Sequence, residues 1–276
     1  MTFYIHLVGA ESGGVGKTTF CKLLLEFLIA NEINHYLVDA DPGQPNVGFA
    51  YAKDRYPELV PQRPLEKIDR RVNYEKIKEQ EKFQPIYFSD GDDFAVPDRL
   101  LDLAQEHEHV VVNLPANVQA LVDKWLVKSD IVGDFIKNEM DIQLVYWYVG
   151  VPTDISIDTF KALRSNHEDR IRYVFVFNMH KKFGKWENKY SPELGAYFEK
   201  NNVVKCDLID LEAGEEEKSL LFDRHYPFYE IIEDSERTLC KSLPGRLRVE
   251  RFRDLAIKDI QVAFTKATGQ ENVFNI

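Results

Sequence analysis

The sequence predicts an α/β fold, a mostly parallel sheet of about seven strands with helices on both faces, and two observations carry that reading. Short β-branched and aromatic runs alternate with helix-length stretches along most of the chain. The first such run is followed at once by a glycine-rich loop and then a helical pattern. With 276 residues, 44% of them hydrophobic, there is enough apolar surface for one substantial core.

Taken in order, the strand runs are residues 3–10, 35–40, 85–89, 109–114, 144–150, 173–178 and 203–207. Helices are expected at 17–31, 97–106, 117–135, 154–166 and 192–200. Asp154 suits a helix start by side-chain capping, and Pro192 by its preset φ. Two long connections interrupt the rhythm: 52–84, charged and carrying Pro57, Pro61 and Pro64, and 181–191. After Asp210 the chain turns acidic at Glu212, Glu215, Glu216 and Glu217, then helical at 235–242 and 249–268, although Gly245 to Val249 also alternates as an edge strand would. A single domain over 1–276 is expected, with a helical C-terminal extension from about 211.

The 35 Lys and Arg against 46 Asp and Glu give a formal charge of -11, which argues against a generic nucleic-acid coat unless a local patch overcomes the bulk field. The 3 cysteines, Cys21, Cys206 and Cys240, are far apart and read as reduced structural thiols. No basic stretch leads into an apolar signal segment, and nowhere do about 18 apolar residues run together, so a soluble cytoplasmic protein is expected.

The loop is Ser12-Gly13-Gly14-Val15-Gly16-Lys17-Thr18-Thr19. Its glycines let the backbone curl so that successive N–H groups point at an anion, and the following helix presents its positive end to the same place. Gly13, Gly14, Val15, Gly16, Lys17, Thr18 and Thr19 are therefore candidate nucleotide contacts. Lys17 reaches the outer phosphates and has a catalytic part, while the Thr18 hydroxyl is placed for Mg2+. Glu11 stands where the usual GxxxxGK[ST] pattern opens with glycine, and its carboxylate must turn outward or repel the ligand.

Further candidates lie at strand ends. The segment Asp39-Ala40-Asp41-Pro42-Gly43-Gln44-Pro45-Asn46 closes the second strand. If the neighbouring strand carries the loop, Asp41 orients or deprotonates the attacking water and Asp39 lies near the Mg2+ hydration shell. The alternative is an ordinary turn using Asp, Pro, Gly and Asn. Asn113 ends the strand where nucleotide hydrolases keep a metal-supporting aspartate; its amide oxygen can still accept from a metal-bound water, without the charge. Asn178 ends a later strand, and its carboxamide matches the N6 and N7 edge of adenine, a turn residue being the alternative.

These motifs, in this order, make residues 2–208 resemble the ParA/MinD family of deviant Walker A P-loop ATPases, which includes plasmid-partition, division-site and conjugation-accessory proteins. The resemblance implies a P-loop NTPase fold that binds ATP or ADP with Mg2+. It also implies a nucleotide-dependent face-to-face homodimer and nucleotide-switched contacts with DNA, membrane or a protein.

Departures from the family pattern qualify that implication. Ser12 occupies the position of the family's second lysine, which crosses the dimer interface to the partner's phosphates, so the homodimer is weakened. With Glu11 and Asn113 also changed, hydrolysis is expected to be slow or partner-stimulated, in a protein acting as a nucleotide-dependent switch in plasmid partition, mobilisation or conjugation. The alternatives are a non-hydrolysing nucleotide-binding scaffold, and a P-loop small-molecule kinase or ligase whose acceptor pocket would be residues 52–84.

Partner contacts are expected in residues 181–190, where Lys181, Lys182, Lys185 and Lys189 alternate with Phe183, Trp186 and Tyr190. That mixture suits a protein partner or DNA; the alternative is a lid over the nucleotide with its rings packed on the body. A second basic run comprises Arg246, Arg248, Arg251, Arg253 and Lys258. Residues 271–276 show no basic amphipathic helix, so no membrane anchor is expected.

Overall fold

The computed structural model describes residues 2–41, 45–52, 86–88 and 94–270, with backbone only at Asp134, Phe135, Lys137 and Asn188. Six strands form one parallel sheet: β1 (Phe3–Gly9), β2 (His35–Asp39), β3 (His109–Asn113), β4 (Ile142–Gly150), β5 (Arg172–Asn178) and β6 (Val204–Leu208), in the order β2-β3-β1-β4-β5-β6. Ile5 of β1 pairs with Val110 of β3 on one side and Leu144 of β4 on the other, so the strand leading into the glycine loop is central. β3 separates β2 from β1, and the Asp39 strand is therefore not the neighbour of the loop strand.

The alternation of β1 sorts two cores. Tyr4 and Val8 face one side with Phe20, Leu24 and Phe264, while Ile5 and Leu7 face the other with Leu100, Trp125 and Phe160. The first side is covered by α1 (Lys17–Ala30) and the C-terminal helices, the second by α3 (Ala95–Glu106), α4 (Gln119–Lys128), α6 (Asp154–His167) and α7 (Pro192–Lys200); the short α2 (Asn46–Tyr51) and α5 (Asp134–Glu139) complete the order to this point. Beyond β6, α8 (Glu215–Lys218) passes through a π-turn, Ser219–Asp223, to α9 (Phe228–Ile232) and α10 (Leu243–Thr268). Their residues Leu221, Phe228, Val249 and Phe252 lie in the same core as Phe20 and Trp147. Cys21, Cys206 and Cys240 are buried and form no disulfide. Among the described residues no helix is long and apolar enough to cross a membrane.

Several expected elements differ. The expected strand 85–89 is not formed at Ile86, Tyr87 and Phe88, although Ile86 and Phe88 are buried, which leaves six strands among the described residues; Pro85 and Ser89 lie outside them. Apolar burial is satisfied equally by an irregular segment, and sequence period alone does not distinguish the two. The single helix expected at 117–135 is two, α4 and α5, because Asp130 adopts φ 50, outside the helical region. Residues 235–242 are not helical: the Asp234 carboxylate accepts from the backbone N–H of Thr238, Leu239 and Cys240 and fixes a loop. The edge-strand alternative at Gly245 to Val249 gives way to α10, which starts at Leu243 with Ser242 accepting from Gly245 N at 3.1 Å. Thr153, rather than Asp154, caps α6, its hydroxyl accepting from Ser156 N. Ser191 caps α7 with Pro192 in the first turn.

Candidate phosphate-binding site

The loop after β1 has Gly14 at φ +74 and Gly16 at φ +100, values that side chains resist. A Cβ on Gly16 would also stand 2.6 Å from Asn178 Nδ2. No side chain caps the N-terminus of α1, so its first N–H groups stay available to an anion. Lys17 is buried and donates to Ser12 O at 3.0 Å, back across the loop. Burial lowers the pKa of its ammonium, an effect opposed by the Asp41 and Glu11 carboxylates. A cavity of about 410 Å³ is lined by Gly14, Gly16, Lys17, Thr18, Thr19 and Asn178, and also by Leu208, Phe222 and Phe252.

Glu11 turns away from that cavity. Its Oε2 accepts from Tyr148 Oη and Ser156 Oγ, both at 3.2 Å, which draws the carboxylate toward the start of α6.

Asp39 is buried, and its two oxygens are surrounded by protein donors. Oδ2 accepts from Val47 N and Gly48 N, each at 2.9 Å, at the start of α2. Oδ1 accepts from Asn113 Nδ2 at 2.8 Å and, more weakly, from Asp41 N at 3.4 Å. Burial pushes its pKa up to about 7, the donors working in the opposite direction. A place for Asp39 beside a metal requires one of these bonds to be given up. Asn113 is buried, and its Oδ1 has no hydrogen-bond partner among the described residues. An orphaned acceptor at this strand end fits a metal-bound water as donor, and Thr18 supplies a hydroxyl on the loop side. Asp41 lies just past β2 rather than within it, close enough for its charge to act on Lys17. Pro42, Gly43 and Gln44 lie outside the described residues.

Asn178 braces the loop. Its Nδ2 donates to Val15 O at 2.7 Å, and its Oδ1 accepts from His180 N at 2.8 Å. One N–H and one lone pair of the amide remain for a ligand.

In the connection after β5, Trp186 is buried and donates to Asn178 O, and Phe183 is half-buried. Lys181 pairs with Glu212 at 3.0 Å and Lys189 with Asp154 at 2.9 Å, while Lys182 reaches Gly14 O at 3.2 Å. In the second basic run, Arg246 donates to Asp234 O, Arg248 lies 3.6 Å from Glu217, and Arg253 pairs with Asp254.

A second cavity, about 1010 Å³, adjoins this connection and is lined by Trp186, Tyr190, Lys205, Asp207 and Asp259, among others. The stretch from Phe177 to Lys182 divides the two spaces. Phe177, Met179 and Lys181 line the larger, and Asn178, His180 and Lys182 the smaller. Lys182 and the C-terminal aromatics Phe222 and Phe252 are site residues that sequence reasoning did not place. Lys182 was visible only as one lysine of a patch, and nothing in the spacing linked residues 222 and 252 to the loop.

A family model described as the mRNA cleavage and polyadenylation factor CLP1 P-loop matches residues 12–52, the stretch from the loop through Asp39 and Asp41. Among solved structures, the chain is similar to the septum site-determining protein MinD complexed with Mg-ADP from Pyrococcus horikoshii OT3, with 15% identity over 97% of this chain and 100% of that one and a TM-score of 0.49. It is similar to MinD cell division protein from Aquifex aeolicus, with 18% identity over 92% and 97% of the two chains and a TM-score of 0.47. A putative plasmid partition protein from Borrelia burgdorferi B31 bound to AMPPNP gives 13% identity over 91% and 98%, with a TM-score of 0.39. No curated protein matches the chain in sequence.

Proposed function

We propose that this protein binds ATP and ADP with Mg2+ and acts as a nucleotide-dependent switch with slow or partner-stimulated hydrolysis. The observation that carries this reading is the loop itself, with positive φ at Gly14 and Gly16, an uncapped α1 and buried Lys17 on one cavity. Lys17 neutralises phosphate charge at the loop, and Gly14, Val15, Gly16, Thr18 and Thr19 supply the surrounding backbone and hydroxyl groups. Mg2+, when bound, offsets charge on the outer phosphates; Thr18 and Asn113 are the residues that would hold it and its water. Asp41 orients the attacking water and accepts its proton.

Slow turnover follows from the donor set. Asn113 brings no charge, and Asp39 is engaged with α2 through Val47 and Gly48. That same engagement makes α2 the element that responds when the site fills. It also favours a second reading, a nucleotide-binding scaffold without hydrolysis. Plasmid partition, mobilisation or conjugation is the setting we propose, with a protein partner contacting residues 181–190 and DNA as a weaker, salt-dependent ligand of the same stretch.

Calorimetric titration of wild type and Lys17→Ala with ADP and ATP tests the binding: equal affinities, or none in either, would overturn it. Phosphate release by wild type and Asp41→Ala separates switch from scaffold, since only the former loses turnover on substitution. For partners, a Lys181→Ala/Lys185→Ala/Lys189→Ala variant should lose nucleotide-modulated binding to DNA or protein; unchanged binding at two salt concentrations would assign these lysines to structure.

A further inference from the structure

We propose that Lys182 is a positioning residue of the phosphate loop, an inference that rests on the nucleotide-binding reading above. Its ammonium donates to Gly14 O at 3.2 Å, and Asn178 Nδ2 donates to the next carbonyl, Val15 O, at 2.7 Å. In a trans peptide the C=O and the following N–H point in opposite directions. Fixing the Gly14 carbonyl therefore fixes the Val15 N–H in the opposite direction, and fixing the Val15 carbonyl does the same for the Gly16 N–H. Lys182 and Asn178 each set the direction of one donor of the anion cradle. The Lys182 bond is charge-assisted, which polarises the same peptide and strengthens its N–H as a donor.

The placement of Lys182 is built rather than incidental. Asn178 Oδ1 accepts from His180 N at 2.8 Å, and His180 Nδ1 accepts from Lys182 N at 3.1 Å. This relay, repeating every second residue, runs from the end of β5 to Lys182 and sets its backbone. The Lys182 ammonium lies over the Phe183 ring, 4.6 Å from its centroid. Lys181 and Lys189 spend their charge on Glu212 and Asp154, whereas Lys182 makes no ion pair among the described residues and lines the loop cavity. Lys182 brings a cation to the loop from 168 residues along the chain.

Lys182→Met keeps the length of the stem and removes the charged donor; Lys200→Met makes the same change in net charge at an exposed residue that lines neither cavity. Inorganic pyrophosphate, ADP and adenosine are titrated into wild type, both variants and Lys182→Arg, and amide exchange at Val15 is followed in the free proteins. Lys182→Met is expected to weaken pyrophosphate and ADP about tenfold, to leave adenosine unchanged and to speed exchange at Val15; Lys182→Arg should recover most of the affinity, and Lys200→Met should match wild type. Equal weakening by Lys182→Met and Lys200→Met would reduce the effect to net charge and overturn the proposal. So would a loss for adenosine as large as for ADP. Wild type that binds ADP while Lys182→Met binds it equally well overturns this proposal alone, and wild type that binds neither ADP nor pyrophosphate overturns the nucleotide reading and this proposal with it.

Discussion

Asn178 Nδ2 lies 2.7 Å from Val15 O, so the end of the fifth strand holds the loop that follows the first. Asn178→Asp would set a carboxylate against that carbonyl. ADP affinity should fall at least tenfold, about 1.4 kcal/mol or more, and Asn178→Ala should fall by less, because it loses the bond without adding repulsion. Calorimetry on the two variants checks the order; an Asp variant that binds as wild type does would remove the brace.

Replacing Asn113 by Asp restores a carboxylate at the metal side but sets it against Asp39, to which Asn113 now donates at 2.8 Å. Two buried carboxylates at that distance cannot both ionise comfortably. The free Asn113→Asp protein should therefore melt several degrees lower than wild type, recover with Mg2+ and nucleotide together, and release phosphate faster in that state. Thermal melting with nucleotide alone, with Mg2+ alone and with both separates these effects; recovery without Mg2+ would rule out the metal role.

Glu11 acts on Lys17 through its charge while its oxygen is held by Tyr148 and Ser156. Glu11→Gln keeps an acceptor for both hydroxyls and removes the charge. ATP should bind about threefold more tightly, ADP by a smaller factor, and both gains should shrink at high salt. Affinities measured at two ionic strengths decide it, and a gain that ignores salt would point to packing instead.

Lys22 is buried under the C-terminal segment, donating to Leu221 O at 2.7 Å, and burial depresses its pKa from 10.5 to about 7. Between those values the unfolded chain holds a proton that the folded chain has lost, so the contribution of Lys22 to stability rises with pH from about 7 to about 10.5. Lys22→Met removes the titrating group. Denaturant midpoints at pH 7, 8 and 9 should show wild type gaining on Lys22→Met as pH rises; parallel curves would contradict the shift.

The strongest features of the sequence became the centre of the fold. Val110, Val111 and Val112 make a strand buried on both faces, and the loop from Gly13 to Lys17 is recognisable because only glycine fits its two positive φ positions. Less legible was anything decided by a distant partner. Ile86 and Phe88 satisfy a strand pattern and bury without pairing. Asp234, which accepts from three backbone N–H groups, turns a helical-looking run into a loop. At the site, neighbouring positions in sequence suggested Asp39 and Asp41 as a pair, whereas parallel strand order puts Asn113 beside Asp39 and binds its other oxygen to α2. The role of Lys182 depends on a contact with Gly14 across 168 residues, which no local pattern encodes.

The six residues from Phe177 to Lys182 form a shared partition, with alternate side chains committed to opposite rooms. Because the same short stretch, from the end of β5 into the 3-10 turn that begins at Lys181, walls both spaces, a shift toward one cavity is a shift away from the other. Free energy then imposes a symmetry on the two occupants. Whatever fills the larger cavity by displacing that partition changes the affinity of the smaller cavity for its own occupant by some factor, and that occupant changes its affinity by the same factor, with no further machinery between them.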